Sequence, residues 1–188
     1  MKRIQKGEFG YIGFQRKWTL VRTILYFALC AAIFLTGYIT TKTRANLLTI
    51  VAILGCLPAC KSVVNVIMFY RAKGCSVEAH DTIDNIAVDI AGLYDMYMTS
   101  YKNNYQISHL AIKGNIIVGY TEDKNSDVNM AEKHIDEHLL QDGYKNMTVK
   151  IYTDLTKYTE RLKQLNELDA SPLKNQDLIL EMLLAISL

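Results

Sequence analysis

Two long apolar blocks open the chain, and short alternating or periodic stretches follow them. Residues 23–41 are nineteen positions without a formal charge, among them Ile24, Leu25, Phe27, Leu29, Ile33, Phe34 and Leu35. As a helix they would extend about 28 Å, close to the roughly 30 Å of a bilayer's hydrocarbon core. Residues 45–70 form a second block interrupted only by Lys61, with Leu47, Leu48, Ile50, Val51, Ile53, Leu54, Val63, Val64, Ile67 and Phe69. The polar link Lys42-Thr43-Arg44 turns the second block back on the first. This predicts a transmembrane helical hairpin over residues 23–70, with spans of about 20–41 and 46–70. A cleaved signal peptide fits the first block less well, because a second long apolar run follows at once. Leu29, directly before Cys30, is too bulky for a lipoprotein cleavage site.

The pattern changes after residue 71. Between 81 and 101, Ile83, Ile86, Ala87, Ile90, Leu93, Tyr94, Tyr97, Met98 and Tyr101 recur at helical spacing, with Asp84, Asn85, Asp89, Gly92, Asp95 and Thr99 opposite. An amphipathic helix capped by Asp81 is the expectation. Residues 105–112 and 116–121 read as strands joined at Lys113-Gly114-Asn115. Residues 127–141 suit a helix that buries Val128, Ala131, Ile135 and Leu139 and stops at Gly143. A third strand is expected over 147–152. Asp154 then caps a helix bearing Leu155, Tyr158, Leu162 and Leu165, Ser171-Pro172 ends it, and residues 175–188 form a last, very apolar helix too short to span a bilayer. The predicted fold class is α+β: the two-helix hairpin, then a small domain over 71–188 with a three-stranded sheet covered by helices.

Charge refines this picture. Residues 1–22 carry six Lys and Arg (Lys2, Arg3, Lys6, Arg16, Lys17, Arg22) against Glu8, whereas residues 71–188 carry twelve basic and eighteen acidic side chains. An acidic domain behind a basic head argues against nucleic acid as a partner. Cations at both ends of the hairpin, with only Lys42 and Arg44 in the link, predict that both termini are cytoplasmic and the link lies outside, in a multi-pass protein of the cell membrane. Tyr11, Trp18, Tyr38 and Tyr70 suit the aromatic belts, and the cations beside Trp18 can meet anionic lipid. The four cysteines, Cys30, Cys56, Cys60 and Cys75, lie early in the chain, unlike a disulfide framework. Lipid supplies no hydrophobic drive for helix pairing, so small residues are expected at the hairpin seam: Ala28, Ala32 and Thr36 on the first span, and Ala52, Cys56 and Cys60 with Gly55 and Ala59 on the second.

Three patterns carry candidate chemistry. His134-Ile135-Asp136-Glu137-His138 sets two histidines four apart on a helix, able to hold zinc with Glu137 as general base. This pentapeptide, and no more of the chain, resembles the H-x-x-E-H arrangement of inverzincin metallopeptidases. The resemblance implies a larger catalytic domain and a third, acidic ligand downstream, where Glu160, Glu167 and Glu181 are on offer; the alternative is a pair of half-buried histidines beside the Val128/Ile135/Leu139 stripe. Glu122-Asp123-Lys124 spells the E-x-K of a nuclease-like metal site, which needs an acid on a neighbouring strand; residues 105–112 contain none, and Asp95 is expected on the helix. In the membrane, Cys56 and Cys60 are candidate soft-metal ligands and Lys61 a candidate intramembrane charge beside Pro58, with small-residue packing and snorkelling as the structural alternative. Asn146-Met147-Thr148 is a glycosylation sequon that a cytoplasmic domain would leave idle. No phosphate-binding glycine loop, dinucleotide fingerprint, serine elbow or C-x-x-C pair is present.

The expectation is therefore a two-pass membrane protein presenting an acidic cytoplasmic domain to a protein partner or a second copy of itself. It needs no cofactor, and regulation suits it better than catalysis. A membrane-anchored metal hydrolase using His134 and His138 is the rival, followed by a small transporter or channel subunit.

Overall fold

The structure is a computed structural model that describes residues 4–43, 46–87, 90–100, 103–168 and 176–188. The chain divides into two compact units, Ile12–Ala72 and Lys73–Leu188, the second joined by residues up to Tyr11. Arg44, Tyr101 and the Ser171-Pro172 break lie outside the described residues, as do Lys2, Arg3, Asp89 and Asn175.

The first unit is a helical hairpin of α1 (Tyr11–Thr41) and α2 (Leu47–Arg71). Both helices are long and apolar enough to cross a membrane, with only 11% and 17% of their most apolar stretches buried. Those low fractions separate them from the core helices of a soluble domain, which hide most of such a stretch. Ile24, Leu25, Leu29, Leu35 and Ile39 on α1, and Ile50, Ile53, Leu57, Val64 and Ile67 on α2, point outward. Apart from Ile12 and Phe69 in its terminal turns, the hairpin is therefore greasy outside and small or polar within. Past its first turn α1 buries Thr19, Thr23, Cys30 and Gly37; the last three are seven residues apart and Thr19 lies one turn before them, while Ala28, Ala32 and Thr36 are exposed. The expected row of every fourth residue drifts around an α-helix by about 40° per step, whereas a seven-residue spacing follows the seam of a gently supercoiled pair. On α2 the seam runs through Ala52, Gly55, Cys56, Ala59 and Ser62, and Cys60 faces outward.

Both ends of the hairpin are tied. The Asn46 side chain caps α2 by accepting the Thr49 N–H at 2.9 Å, and its amide donates to Thr41 Oγ1 and the Thr43 carbonyl, both at 2.9 Å. Gly37 lets the helices close there, since a Cβ would stand 2.7 Å from Leu48 Cβ. At the other end Arg16 donates to the Phe69 and Ala72 carbonyls at 3.2 and 2.7 Å, satisfying acceptors that the last turn of α2 leaves open.

The second unit is α+β. Its elements are α3 (Val77–Asp84), β1 (Ala91–Thr99), β2 (Asn104–Lys113), β3 (Ile116–Tyr120), α4 (Val128–Gln141), β4 (Thr148–Tyr152), α5 (Leu155–Glu167) and α6 (Gln176–Ile186). The four strands lie in the order β1-β2-β3-β4; the first three form an antiparallel meander and β4 runs parallel to β3. One face carries Leu93, Met96, Met98, Ile107, Leu110, Ile112, Ile117 and Ile151 against α4 and α6. The other carries Ala111, Val118 and Tyr120 against α3 and α5, where Ile83, Tyr158, Leu162 and Leu165 are buried.

The sheet has four strands rather than three because the helix expected over 81–101 ends at Asp84 and β1 follows it. Inward-facing residues on β1 are 93, 96 and 98, a spacing that imitates a helix. The cause is Asp95, which takes a left-handed backbone (φ 56°) opposite Ser108. The alternation slips by one place on β1 there, and β2 slips with it: its inward residues are 105 and 107, then 110 and 112. Because both strands slip together, their pairing stays in register, with Tyr94 opposite His109 and Met96 opposite Ile107.

Neither sheet edge is open along its length. At β1 the Tyr94 N–H donates to the Gly7 carbonyl at 2.7 Å, Leu188 N donates to the Tyr97 carbonyl at 2.8 Å, and Met98 bridges Ser187. Lys6 Nζ donates to the Ser187 carbonyl at 2.7 Å and so links the two covering segments. At β4 the Glu132 carboxylate accepts the outward Ile151 N–H at 2.8 Å and pairs with Lys150 at 3.0 Å. Charged and covered edges of this kind suppress sheet-to-sheet pairing.

Candidate functional site

The densest polar chemistry in the domain lies where the chain leaves α2 and reaches the sheet. Three successive anchors receive backbone N–H groups of this linker. Gln106 Oε1 of β2 accepts from Lys73 N at 3.2 Å, and Asp95 Oδ1 of β1 accepts from Cys75 N at 2.7 Å. Glu122, just past β3, accepts from Ser76 N at 3.3 Å and from Ser76 Oγ at 2.6 Å. Ser76 in turn caps α3 through the Ala79 N–H. The left-handed Asp95 is what aims a carboxylate at the linker, and a Cβ at Gly74 would stand 3.1 Å from that carboxylate. A buried acceptor facing a backbone donor contributes about 1–3 kcal/mol if charged.

Behind the linker runs a chain of rings. Phe9 stacks on His80 with centroids 3.9 Å apart, and Tyr94 meets both edge-on at 6.0 and 4.8 Å. Tyr94 lies against His109 at 4.3 Å, and His109 Nδ1 is hydrogen-bonded to the Tyr158 hydroxyl at 2.6 Å. Tyr120 stacks on Tyr158 at 5.5 Å.

Cys75, His109, Tyr94 and Tyr158 are held neutral. Burial pushes the Cys75 thiol up to about 12, helped by the negative charge of Glu122 and Asp95. Burial pulls His109 down to about 3, with His80 adding to the effect. Tyr94 and Tyr158 are both raised, again mainly by burial. A nucleophilic cysteine needs a lowered thiol pKa, and a general base needs one near neutrality. Cys75 and His109 meet neither requirement. The arrangement is that of a clamp, in which aromatic and polar side chains fix residues 73–76 on the sheet.

The residues singled out from sequence are placed as follows. His134 and His138 meet edge-to-face on α4 with centroids 4.7 Å apart, and His134 also leans on Tyr105 at 5.6 Å. Burial lowers the pKa of His134, His138 adds to that, and Glu137 opposes it. Glu137 is exposed and pairs with Lys133 at 3.7 Å. Among the described residues, no three His, Cys, Asp or Glu side chains form a group able to hold a metal ion. Asp95, expected on a helix, stands on β1, and Asp95 and Glu122 both engage the linker. Asp123 Oδ1 accepts from Asn125 N at 3.1 Å, closing the turn after β3. Asn146 takes a left-handed backbone (φ 66°) just before β4.

In the hairpin Cys56 faces α1, whereas Cys60 and Lys61 are exposed. The Thr23 and Ser62 hydroxyls are hydrogen-bonded at 2.6 Å, so Lys61 lies within about 3 Å of Arg22 along the hairpin axis. It is level with the cationic end of α1.

Sequence reasoning did not single out His109 or the Cys75 linker, and it set Asp95 aside as helical. One signal was present: His109 stands among Ile107, Leu110, Ala111 and Ile112 in the expected strand, where a buried imidazole needs a partner. Neither a family model, a curated protein nor a solved structure matches the chain.

Proposed function

We propose that this is a two-pass integral membrane protein whose hairpin anchors an acidic cytoplasmic α+β domain for protein interaction or regulation. The observation that carries the reading is the pair of long apolar helices whose outer faces have no protein cover. Water would penalise that surface at about 25 cal/mol per Å2, and lipid removes the penalty. Residues 4–11 pack with Lys73–Leu188 in one unit, which supports both ends of the hairpin lying on the same side of the membrane. The cations on either side of the hairpin favour the cytoplasm for that side. Recognition is favoured over catalysis because burial holds Cys75 and His109 neutral.

The test uses sealed inverted vesicles carrying the full chain. The chain is expected to resist carbonate extraction, with protease added outside cleaving within residues 73–188. A protected domain, or a chain that carbonate releases, would overturn the topology. Amine cross-linking in the same vesicles tests recognition. Lys113, Lys133 or Lys150 is expected to join a second polypeptide or a second copy, and cross-links confined to one chain would remove the interaction role.

A further inference from the structure

We propose that Cys30 and Cys56 form a redox-active dithiol inside the hairpin, closed to an interhelix disulfide by a bilayer-soluble quinone. The inference rests on the hairpin lying in lipid. Sequence spacing pairs Cys56 with Cys60 along one helix, but Cys60 faces outward and the partner of Cys56 is across the seam. Cys30 is buried on α1 and lines the same cavity as Cys56 of α2, across the seam. Gly55 permits the approach: a Cβ there would stand 3.1 Å from Cys30 Sγ. All four cysteines are free thiols in the structure.

The same two thiols line an apolar cavity of about 290 Å3, together with Phe27, Phe34, Ala52 and Ile53. Its walls suit a flat, uncharged ring arriving from the hydrocarbon side. Oxidation by an aqueous disulfide needs a thiolate as attacker, and a thiolate in hydrocarbon is heavily penalised. A quinone escapes that restriction because it enters the bilayer neutral and accepts each thiol's proton together with its electron, so that no free thiolate has to form. The reaction breaks the Cys30 and Cys56 S–H bonds and forms one S–S bond. Two electrons and two protons pass to the quinone, which leaves as hydroquinone. The product fastens α1 to α2 at mid-seam.

The experiment uses the full chain in lipid vesicles, floated on a density gradient and kept anaerobic. A benzoquinone with all four ring positions substituted is added, so that it oxidises thiols without adding to them. Remaining thiols are counted by alkylation and mass spectrometry. Two of the four thiols are expected to disappear, with the Cys30 and Cys56 peptides joined and lighter by two hydrogens. Cys60→Ser and Cys75→Ser should each still lose that pair, whereas Cys56→Ser should keep all its remaining thiols. The proposal is overturned if the thiols survive, if the joined peptides contain Cys60 or come from two chains, or if externally added oxidised glutathione works equally well. A chain that fails to float loses the membrane reading as well; one that floats and keeps four thiols loses only this one.

Discussion

The hairpin and the domain solve opposite packing problems with one chain. In the domain, large apolar side chains are hidden: Ile112, Ile117, Leu139 and Leu162 are each 0% exposed. In the hairpin most large apolar side chains are displayed, and the interior is built from Thr19, Thr23, Cys30, Gly37, Ala52, Ala59 and Ser62, with Ile12 and Phe69 buried in the terminal turns. Water drives the first arrangement. In the proposed bilayer the second needs close backbone approach and a few internal hydrogen bonds, because lipid is indifferent to which apolar surface it wets. The same residue type therefore has a different worth in each unit.

The sharpest way to break this contrast is to truncate one apolar side chain in each. Ile112→Ala should cost about 2–5 kcal/mol, read from faster hydrogen exchange of the β2 and β3 amides in mild detergent. Leu25→Ala, at a position 64% exposed on α1, should leave helix stability within about 0.5 kcal/mol. Similar costs at both sites would mean that the outer face of α1 is packed against protein.

Acid separates the units next. His109 is held near 3 in the folded domain by burial and His80, against an ordinary value of 6.5. The folded state therefore binds fewer protons than the unfolded one below 6.5. The contribution from His109 is complete above that value and is lost as pH falls towards 3. Between pH 7 and pH 4 the domain should lose about 3 kcal/mol from this group alone. His109→Gln, which keeps a hydrogen-bonding group beside Tyr158 but cannot titrate, should flatten that part of the pH profile while hairpin helicity stays unchanged in both proteins.

Glycine gives a smaller test within the hairpin. Gly37→Val should destabilise helix pairing by about 1–3 kcal/mol, since even a Cβ there would stand 2.8 Å from Asn46 Oδ1. Gly13→Ala meets nothing within 4 Å and should stabilise α1 by roughly 0.5–1 kcal/mol. Thermal melting of the helical circular-dichroism signal in detergent distinguishes the two signs. Smallest of all, Lys133→Ala removes an exposed pair with Glu137 and should shift domain stability by no more than about 0.5 kcal/mol in the same hydrogen-exchange assay.

Much of the domain was legible because its signals are local. Gly114 marks the turn between β2 and β3, Asp127 and Asp154 cap α4 and α5, and each helix carries one clean stripe. The expected helix over 81–101 failed for a non-local reason. Asp95 changes the phase of β1 only because Ser108, thirteen residues on, changes the phase of β2 to match. Periodicity read along one segment cannot register a slip shared by two strands, although Gly92 mid-helix was a warning. The seam of the hairpin misled in a related way, since small residues mark several possible faces and only the partner helix selects one. The clamp was hidden because its parts, Asp95, Gln106 and Glu122, come from three separate segments and act on backbone N–H groups, which have no sequence signature.

The covered edge of β1 also sets a timetable for biogenesis. Its covers come from far apart along the chain: Gly7 precedes α1, whereas Ser187 and Leu188 follow α6 and are made after both long helices. The edge therefore stays open until the segment after α6 has been synthesised, and for that interval β1 is paired with β2 on one side only. A stalled or shortened product would carry an adhesive edge that the finished molecule does not have.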